Sequence, residues 1–295
     1  MENVKDESSV DQECKSAYSR IARFCGKELG VLRFKEKIDF ESRFRDVDNA
    51  VTRWRDEVSR ATSSTKTEFN GKLVISLIFH DSALEGDVLT HGEIKAATDT
   101  SIISDTSLIP SYEVISKFFN ALQHAKQLGS SKKKTTIDLD LIREFVGILN
   151  PALKEIGVPY RKENPLHRLY YHEISSPEDI AKKMRVFGQW LEDEFLTLHP
   201  IDKAVQFHWQ LMAVFPWAKE TGRLARIVSN LILEQSDYPI AVIHSIDRQR
   251  YYEALKSAET KALLTLYLEA VETTANSAVR VFEAARGVTP GLAAG

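Results

Sequence analysis

The sequence has few residues of the kinds that build a disulfide framework, a metal centre or a membrane span. Only two of its 295 residues are cysteines, Cys14 and Cys25, and neither has a His or Cys neighbour at a metal-ligand spacing. We expect both to be free thiols of a reducing compartment, with a disulfide as the unsupported alternative. No apolar run approaches the roughly 20 residues that a membrane helix requires. Metal-centre, disulfide-scaffold and membrane-spanning classes are therefore not expected.

Charge of one sign is also scarce. The net charge is −3, from 39 basic and 42 acidic residues, which gives no electrostatic reason to expect nucleic acid or an anionic membrane as a partner. The N-terminal sequence MENVKDESS is acidic and polar, so we predict no signal peptide and a soluble, cytoplasmic protein. The chain has no P-loop, dinucleotide fingerprint, zincin motif or nucleophile elbow.

What the sequence does contain is helical periodicity, which predicts a mostly α-helical fold. Between residues 40 and 58 the apolar residues follow steps of four and three, namely Phe40, Phe44, Val47, Val51, Trp54 and Val58. This face is predicted to pack on the body of the protein, and a helix-to-helix seam in a homodimer is the alternative. Further helices are predicted at 72–85, 111–127, 137–155, 177–195, 200–213, from Gly222 onward with one apolar face, and within 247–285. The basic stretch at 129–136 is predicted to be a solvated loop.

Residues 159–175 differ from the helical segments. Aromatic and polar residues alternate there, which indicates a β-hairpin or an extended flap. The next residues, Ser176, Pro177 and Asp179, predict a helix start in which Ser176 is the N-cap and Asp179 completes a capping box.

The stretch from 215 to 226, FPWAKETGRLAR, suggests an anion-binding site on physical grounds. A loop that contains Thr221 and Gly222 leads into a helix, whose first N–H groups lack intrahelical partners and lie at the positive end of the helix dipole. Arg223 and Arg226 are three residues apart and therefore occupy neighbouring positions on one helix face. Two guanidinium groups beside a helix N-terminus suit a phosphate or a carboxylate.

The same stretch resembles the Fic motif, His-Pro-Phe-x-Asp/Glu-Gly-Asn-Gly-Arg-x-x-Arg. The glycine and both arginines of the motif are matched, together with the proline and one aromatic position. The four departures are Phe215 for the histidine, Lys219 for the acidic residue, Glu220 for a glycine and Thr221 for the asparagine.

The resemblance extends beyond the motif, over about residues 70–256. Residues 199–214, 225–243 and 247–255 resemble the segments around the family motif, and Tyr160 and Arg161 precede the flap as such a pair commonly does. Residues 81–86, DSALEG, resemble the family's inhibitory motif, with Asp81 in the hydroxyl position. We therefore predict an N-terminal helical extension at 1–69, a Fic-like core at 70–256, and a C-terminal helix with a disordered tail at 257–295.

The resemblance implies a nucleotide as the candidate cofactor and AMP transfer to a protein as the family activity. In typical members the histidine is the general base and the acidic residue holds Mg²⁺. Phe215 cannot accept a proton, and general-base catalysis typically contributes about 10²–10⁴-fold. Lys219 cannot bind Mg²⁺ but can place its charge near a phosphate. We therefore expect neither standard AMP transfer nor Mg²⁺ binding, and predict Lys219, Thr221, Gly222, Arg223 and Arg226 as ligand-binding residues.

Glu85 is the second candidate, because the matching glutamate of the family pairs with the second motif arginine. The expected pair is Glu85–Arg226. It is open whether this pair is only structural, controls ligand entry, or leaves Glu85 to act as an acid or base. If another residue replaces the lost base, His172 or His80 is the first choice, since the family fold brings the flap and the inhibitory helix toward the loop.

Three functions remain open at this point. The first is a divergent Fic-fold protein that performs altered group transfer on a nucleotide or another phosphorylated or carboxylated ligand. The second is an inactive interaction module whose flap, with Tyr160, Arg161, Tyr170 and Tyr171, takes a protein target by strand addition. The third is a small-molecule enzyme in which Phe215 and Trp217 line an apolar pocket.

Overall fold

The computed structural model describes residues 39–99, 109–165 and 172–287. Backbone contacts group residues 44–295 into one compact unit and residues 1–43 into another. Of the smaller unit only residues 39–43 are described, and they are helical from Phe40. The predictions for Cys14, Cys25 and the two chain termini fall outside the described residues, and the predicted domain boundaries remain predictions.

The fold is mostly α-helical, as predicted. Within the described residues the α-helices are α1 (Phe40–Arg60), α2 (Ser63–Glu85), α3 (His91–Thr98), α4 (Ile109–Gly129), α5 (Leu139–Leu149), α6 (Pro151–Glu155), α7 (Pro177–Glu192), α8 (Pro200–Val214), α9 (Thr221–Glu234), α10 (Arg248–Lys256) and α11 (Lys261–Ala285). Two 3₁₀ turns lie at Glu194–Thr197 and Ser245–Asp247. None of these helices is long and apolar enough to cross a membrane.

Helix α9 is the central element of the larger unit. It packs against α8, α4, α5 and α2, and every residue from Thr221 to Leu233 is buried. The prediction of one apolar face on this helix was therefore too narrow. A helix that is surrounded on all sides must bury its polar residues too, and Arg223 and Arg226 are only 4% and 5% exposed.

The ends of α2 and α3 follow from local sequence. Gly86 ends α2 in the left-handed conformation, with φ of 98°, as the sequence predicted. Helix α3 was not predicted, although its start carries a complete capping box in which Thr90 and Glu93 exchange bonds.

Two local predictions were wrong. The single helix expected at 137–155 is divided at Asn150, because Pro151 cannot continue the hydrogen-bond ladder and instead begins α6. Ser176 is the N-cap residue of α7, but its hydroxyl donates to the Asp179 carboxylate at 3.0 Å and accepts no bond from the helix backbone. The expected capping box is therefore absent.

The apolar stripe of α1 packs inward, as expected for one face of a long helix. Val47 and Val51 are fully buried, and Phe44 contacts His199 at the start of α8. No strand occurs in residues 159–165 or 172–175, and residues 166–171, which include Tyr170 and Tyr171, are not described. The β-hairpin therefore remains a prediction.

Candidate functional site

A cluster of five charged residues joins the C-terminal end of α2 to the N-terminal end of α9. We call it the arginine cluster, and it consists of Asp81, Glu85, Glu220, Arg223 and Arg226. Although α2 and α9 lie about 140 positions apart in the chain, their contact brings these groups together. The cluster therefore depends on the tertiary fold rather than on one local motif.

Asp81 is the centre of the arginine cluster. Arg223 Nε donates to Asp81 Oδ2 at 2.9 Å, and Arg226 Nε donates to Asp81 Oδ1. The Asp81 side chain is 2% exposed. Burial by itself lowers the pKa of each guanidinium, but the negative charges of Asp81 and Glu85 together with the hydrogen bond to Asp81, joined by Glu220 at Arg223 and Tyr251 at Arg226, outweigh it, so both arginine pKa values lie above their ordinary value. Both arginines are therefore charged, and Asp81 offsets the cost of burying them.

Glu85 occupies the space beside the start of α9. Arg226 Nη2 donates to Glu85 Oε1 at 2.7 Å, which is the contact that the sequence analysis expected. A Cβ atom built on Gly222 would overlap Glu85 Oε1 and lie 3.2 Å from Arg226 Nη1. The absence of a side chain at Gly222 thus allows the Glu85 carboxylate to approach this closely. A carboxylate oxygen sits where the first turn of α9 favours an anion.

The remaining contacts of Arg223 are more exposed. Arg223 Nη1 donates to Glu220 Oε2 at 2.7 Å, and its Nη2 reaches Asp87 Oδ2 at 3.5 Å. The two guanidinium groups carry a charge of +2, and the carboxylates of Asp81, Glu85 and Glu220 carry −3. The arginine cluster therefore has a formal charge of −1 before any ligand enters.

The loop between α8 and α9 is closed by its own hydrogen bonds. Thr221 Oγ1 donates to Trp217 O at 2.7 Å and accepts from Trp217 N at 3.3 Å. Phe215 and Glu220 both have left-handed backbone conformations, with φ of 49° and 67°, which residues with a Cβ atom rarely adopt. The Thr221 hydroxyl thus fixes the loop.

Phe215 is completely buried, and its carbonyl anchors the flap. Arg161 Nε donates to Phe215 O at 2.7 Å, and Arg161 N donates to Pro216 O at 2.9 Å. Arg161 also bonds to Ser175 O on the other side of the flap. Arg161 therefore connects both described ends of the flap to the motif loop. Tyr160 lies against Trp217, with ring centroids 5.7 Å apart.

The two candidate histidines differ in position. The His172 ring lies 6.0 Å from the Phe215 ring, and its Nε2 is 2.9 Å from Met212 O, so this nitrogen carries the hydrogen. His80 instead lies against His244, with centroids 4.3 Å apart, and its Nδ1 accepts from Ser245 N at 3.2 Å. The structure therefore places His172 beside the motif loop and His80 toward the 3₁₀ turn before α10.

A buried hydrogen-bond network lies beneath Arg226 and was not predicted. Arg226 Nη1 donates to the Tyr251 hydroxyl at 3.0 Å, and the rings of His208 and Tyr267 continue the network at 2.9 and 2.6 Å. Burial holds the pKa of His208 well below its usual value, and the charge of Arg226 lowers it further. A neutral His208 therefore links two tyrosine hydroxyls and fixes Tyr251 under the guanidinium. The paired tyrosines at 251–252 were the visible signal.

Lys219 is exposed and forms no ion pair among the described residues, so the structure leaves its predicted phosphate contact open. The described residues also include no group of three His, Cys, Asp or Glu side chains that could hold a metal ion. Near the loop the carboxylates are already bonded to arginines, and the ammonium of Lys219 has no lone pair to donate. This set of donors does not fit Mg²⁺.

Comparison with known proteins identifies a domain within the chain. A model described as the Fic/DOC family matches residues 136–233. Two similar curated proteins are called "Protein adenylyltransferase Fic". The one from Nematostella vectensis is 30% identical over 185 residues, covering 61% of this chain and 42% of that protein. The one from Drosophila erecta is 28% identical over 186 residues, covering 61% and 36%. The chain contains a Fic domain.

Solved structures support the same fold. A Fic domain containing signaling protein from Bacteroides thetaiotaomicron aligns with a TM-score of 0.68 at 20% identity, covering 83% of this chain and 99% of that one. A fragment of Fic-1 from C. elegans aligns with a TM-score of 0.66 at 21% identity, covering 83% and 73%. The chain spans about two fifths of the length of the curated relatives it matches. The Fic fold is therefore shown, and the activity of this Fic domain is a separate question.

Proposed function

We propose that this Fic domain binds the anionic part of a small ligand at the start of α9, in competition with its own Glu85, and that a nucleotide is the leading candidate. The proposal rests on the position of the Glu85 carboxylate. One of its oxygens lies against Gly222 and accepts from Arg226 Nη2 at 2.7 Å. A phosphate oxygen at the same place would keep the arginine contact and the favourable end of the helix dipole.

Of the two carboxylates that accept from Arg226, Glu85 can withdraw more easily. Its side chain is 13% exposed, whereas that of Asp81 is 2% exposed. Glu85 is the last residue of α2 and directly precedes the left-handed Gly86. If the end of α2 changed its conformation, the Glu85 carboxylate would leave the arginine cluster. The formal charge of the cluster would then rise from −1 to zero, while Asp81 would keep both arginines in place.

The chemistry that follows binding differs from that of relatives named adenylyltransferases. Phe215 offers no proton acceptor, and Lys219 offers no metal ligand. We infer that AMP transfer by a histidine base and Mg²⁺ does not occur. Altered group transfer would need another base. Glu85 after its release and His172 beside the loop are the candidates.

A second candidate function is an inactive interaction module, and one specific observation favours it. Asp81 already engages both arginines, so the cluster is satisfied without a ligand and ties α2 to α9. In this case the flap would contact a protein target, with Arg161 holding its two ends to the motif loop.

Calorimetry of the wild type and of Glu85→Ala separates the two functions. ATP, GTP, CTP and UTP, their diphosphates and inorganic pyrophosphate would be titrated with and without Mg²⁺. We expect Glu85→Ala to bind at least one of these at least tenfold more tightly than wild type, because the competing carboxylate is gone. Glu192→Ala, an exposed glutamate of α7, is the matched control and should leave affinity unchanged.

The arginine is tested by Arg226→Lys, which keeps the charge and is less disruptive than removal. Loss of the Nη2 donor that now binds Glu85 should weaken binding by about tenfold or more. Equal affinity in wild type, Glu85→Ala and Arg226→Lys, with all three folded by circular dichroism, would reject anion binding at α9. The absence of all binding would leave the interaction module, and a pull-down that fails on flap variants would then identify the target.

A further inference from the structure

A cavity lies at the opposite end of α9, about 20 Å from the arginine cluster by helix length. Its volume is about 250 Å³. Two lysines, Lys134 and Lys203, line it, and none of its lining residues is acidic. The lining of the cavity is therefore positively charged, although the net charge of the protein is −3.

The two lysines are brought together by the fold. Lys134 belongs to the loop before α5, and Lys203 lies in the first turns of α8. Among the residues that the structure describes, neither has a carboxylate within 4.0 Å. Burial lowers the pKa of Lys203, and the positive charge of Lys134 lowers it further. An anion placed between the two ammonium groups would relieve this repulsion.

The rest of the lining is mainly apolar. Leu191 of α7, Phe195 and Leu196 of the first 3₁₀ turn, and Ile232 of α9 form one wall. Lys203 Nζ lies 5.4 Å from the centre of the Phe195 ring, so the charge sits directly over an apolar surface. Leu196 is 64% exposed, which leaves apolar area at the cavity mouth. A purely inorganic anion would use the lysines but would leave this wall unused.

Hydrogen-bonding groups complete the cavity. Gln235 Nε2 donates to Thr135 O at 3.2 Å and thereby holds the loop that contains Lys134 against the end of α9. Thr136 and Ser236 add hydroxyl groups to the lining. The polar groups are thus grouped around the lysines.

We propose that this cavity binds a small amphipathic carboxylate, in which the carboxylate lies between Lys134 and Lys203 and an aromatic or branched apolar group packs on Phe195 and Leu196. The size fits, because a cavity of about 250 Å³ accommodates an aryl or short branched acid but not a nucleotide. This site is independent of the function proposed for the arginine cluster.

The test is an NMR titration of the full chain with three probes: phenylacetate, phenylacetamide and acetate. We expect phenylacetate to shift resonances of the cavity residues with saturation in the millimolar range or below, and both other probes to bind at least tenfold more weakly. Phenylacetamide removes the charge and acetate removes the ring. Equal binding of phenylacetamide and phenylacetate would overturn the role of the lysines.

Substitutions of the lining residues test whether phenylacetate binds in this cavity. Lys203→Met and Lys134→Met keep the apolar stems and should each weaken phenylacetate binding by about fivefold or more. Lys182→Met, an exposed lysine of α7, is the matched control and should change nothing. Leu196→Ala should weaken phenylacetate binding but leave acetate binding unchanged. Absence of saturable phenylacetate binding by wild type, or equal losses in Lys203→Met and Lys182→Met, would reject the site.

Discussion

The two ends of α9 differ in how their cationic side chains are partnered. At the N-terminal end, Arg223 and Arg226 are almost fully buried and are matched by three carboxylates. Near the C-terminal end, Lys134 and Lys203 share a half-open cavity with no acidic lining residue. Glu234, on another side of that end, has a pKa of about 7, chiefly because it is buried. Burial requires the two arginines, which cannot lose their protons, to be paired, and it favours the protonated form of Glu234, whereas partial access to water allows the two lysines to lie without a carboxylate partner.

Asp81→Ala should produce the largest effect, because it leaves two buried guanidinium groups without their shared partner. We expect the free energy of unfolding to fall by about 3–5 kcal/mol. Urea denaturation of the purified chain measures it. Asp87→Asn is the control, since this side chain is 52% exposed and lies 3.5 Å from Arg223, and it should cost about 1 kcal/mol or less. A similar loss in both variants would contradict the central place of Asp81.

Glu234→Gln tests the C-terminal end of α9 through the pH dependence of the free energy of unfolding. The folded pKa is about 7 and the ordinary value is 4.5, so between these values the folded chain holds a proton that the unfolded chain has released. Wild-type stability contributed by Glu234 is therefore present below pH 4.5 and is lost as the pH rises to about 7. The stability of Glu234→Gln relative to wild type should increase by roughly 1–3 kcal/mol over this range.

Denaturation curves at pH 4.5, 6 and 8 provide the measurement for Glu234. The matched control is Glu155→Gln, an exposed glutamate at the end of α6, whose stability relative to wild type should not vary with pH. A pH-independent difference for Glu234→Gln would show that folding does not raise the pKa of this carboxyl.

The smallest effect is expected in the loop, where two contributions oppose each other. Glu220→Gly relieves a backbone φ of 67° but removes the ion pair to Arg223, so the net change should stay within about 1 kcal/mol. Glu220→Gln loses the charge and keeps the strained backbone. We therefore expect Glu220→Gly to be the more stable of the two by about 1 kcal/mol in thermal and urea unfolding. Equal stability would argue against strain at this position.

Local features of the fold were accessible from the sequence, and those that depend on distant partners were not. Gly86 stops α2 because glycine readily adopts a left-handed conformation, and periodicity placed most of the helices. The short α3 has too few residues for a clear period, and its capping box, the one signal in the sequence, was missed. The division at Asn150 was missed although Pro151 marks it.

In the candidate site, too, some features were predicted from the sequence, and the contacts that depend on distant partners were not. The resemblance to the Fic family identified Glu85 and Arg226 as a pair, and their contact is present. The two-arginine contact of Asp81 was not foreseen, because it depends on how α2 and α9 pack. The sequence placed Arg223 and Arg226 on one helix face but did not show that carboxylates from elsewhere in the chain allow them to be buried. The lysine cavity joins two residues that are 69 positions apart and has no local signature.

A substitution at Gly222 provides an experimental probe of the contact between the end of α2 and the start of α9. Since a single methyl group at this position would overlap Glu85 Oε1, Gly222→Ala acts as a wedge that is one carbon atom in size. It displaces the carboxylate while every charged residue stays in the chain. The absence of a Cβ atom at Gly222 is thus what lets the Glu85 carboxylate approach the start of α9, and adding that atom offers a way to move this side chain without changing the charge of the protein.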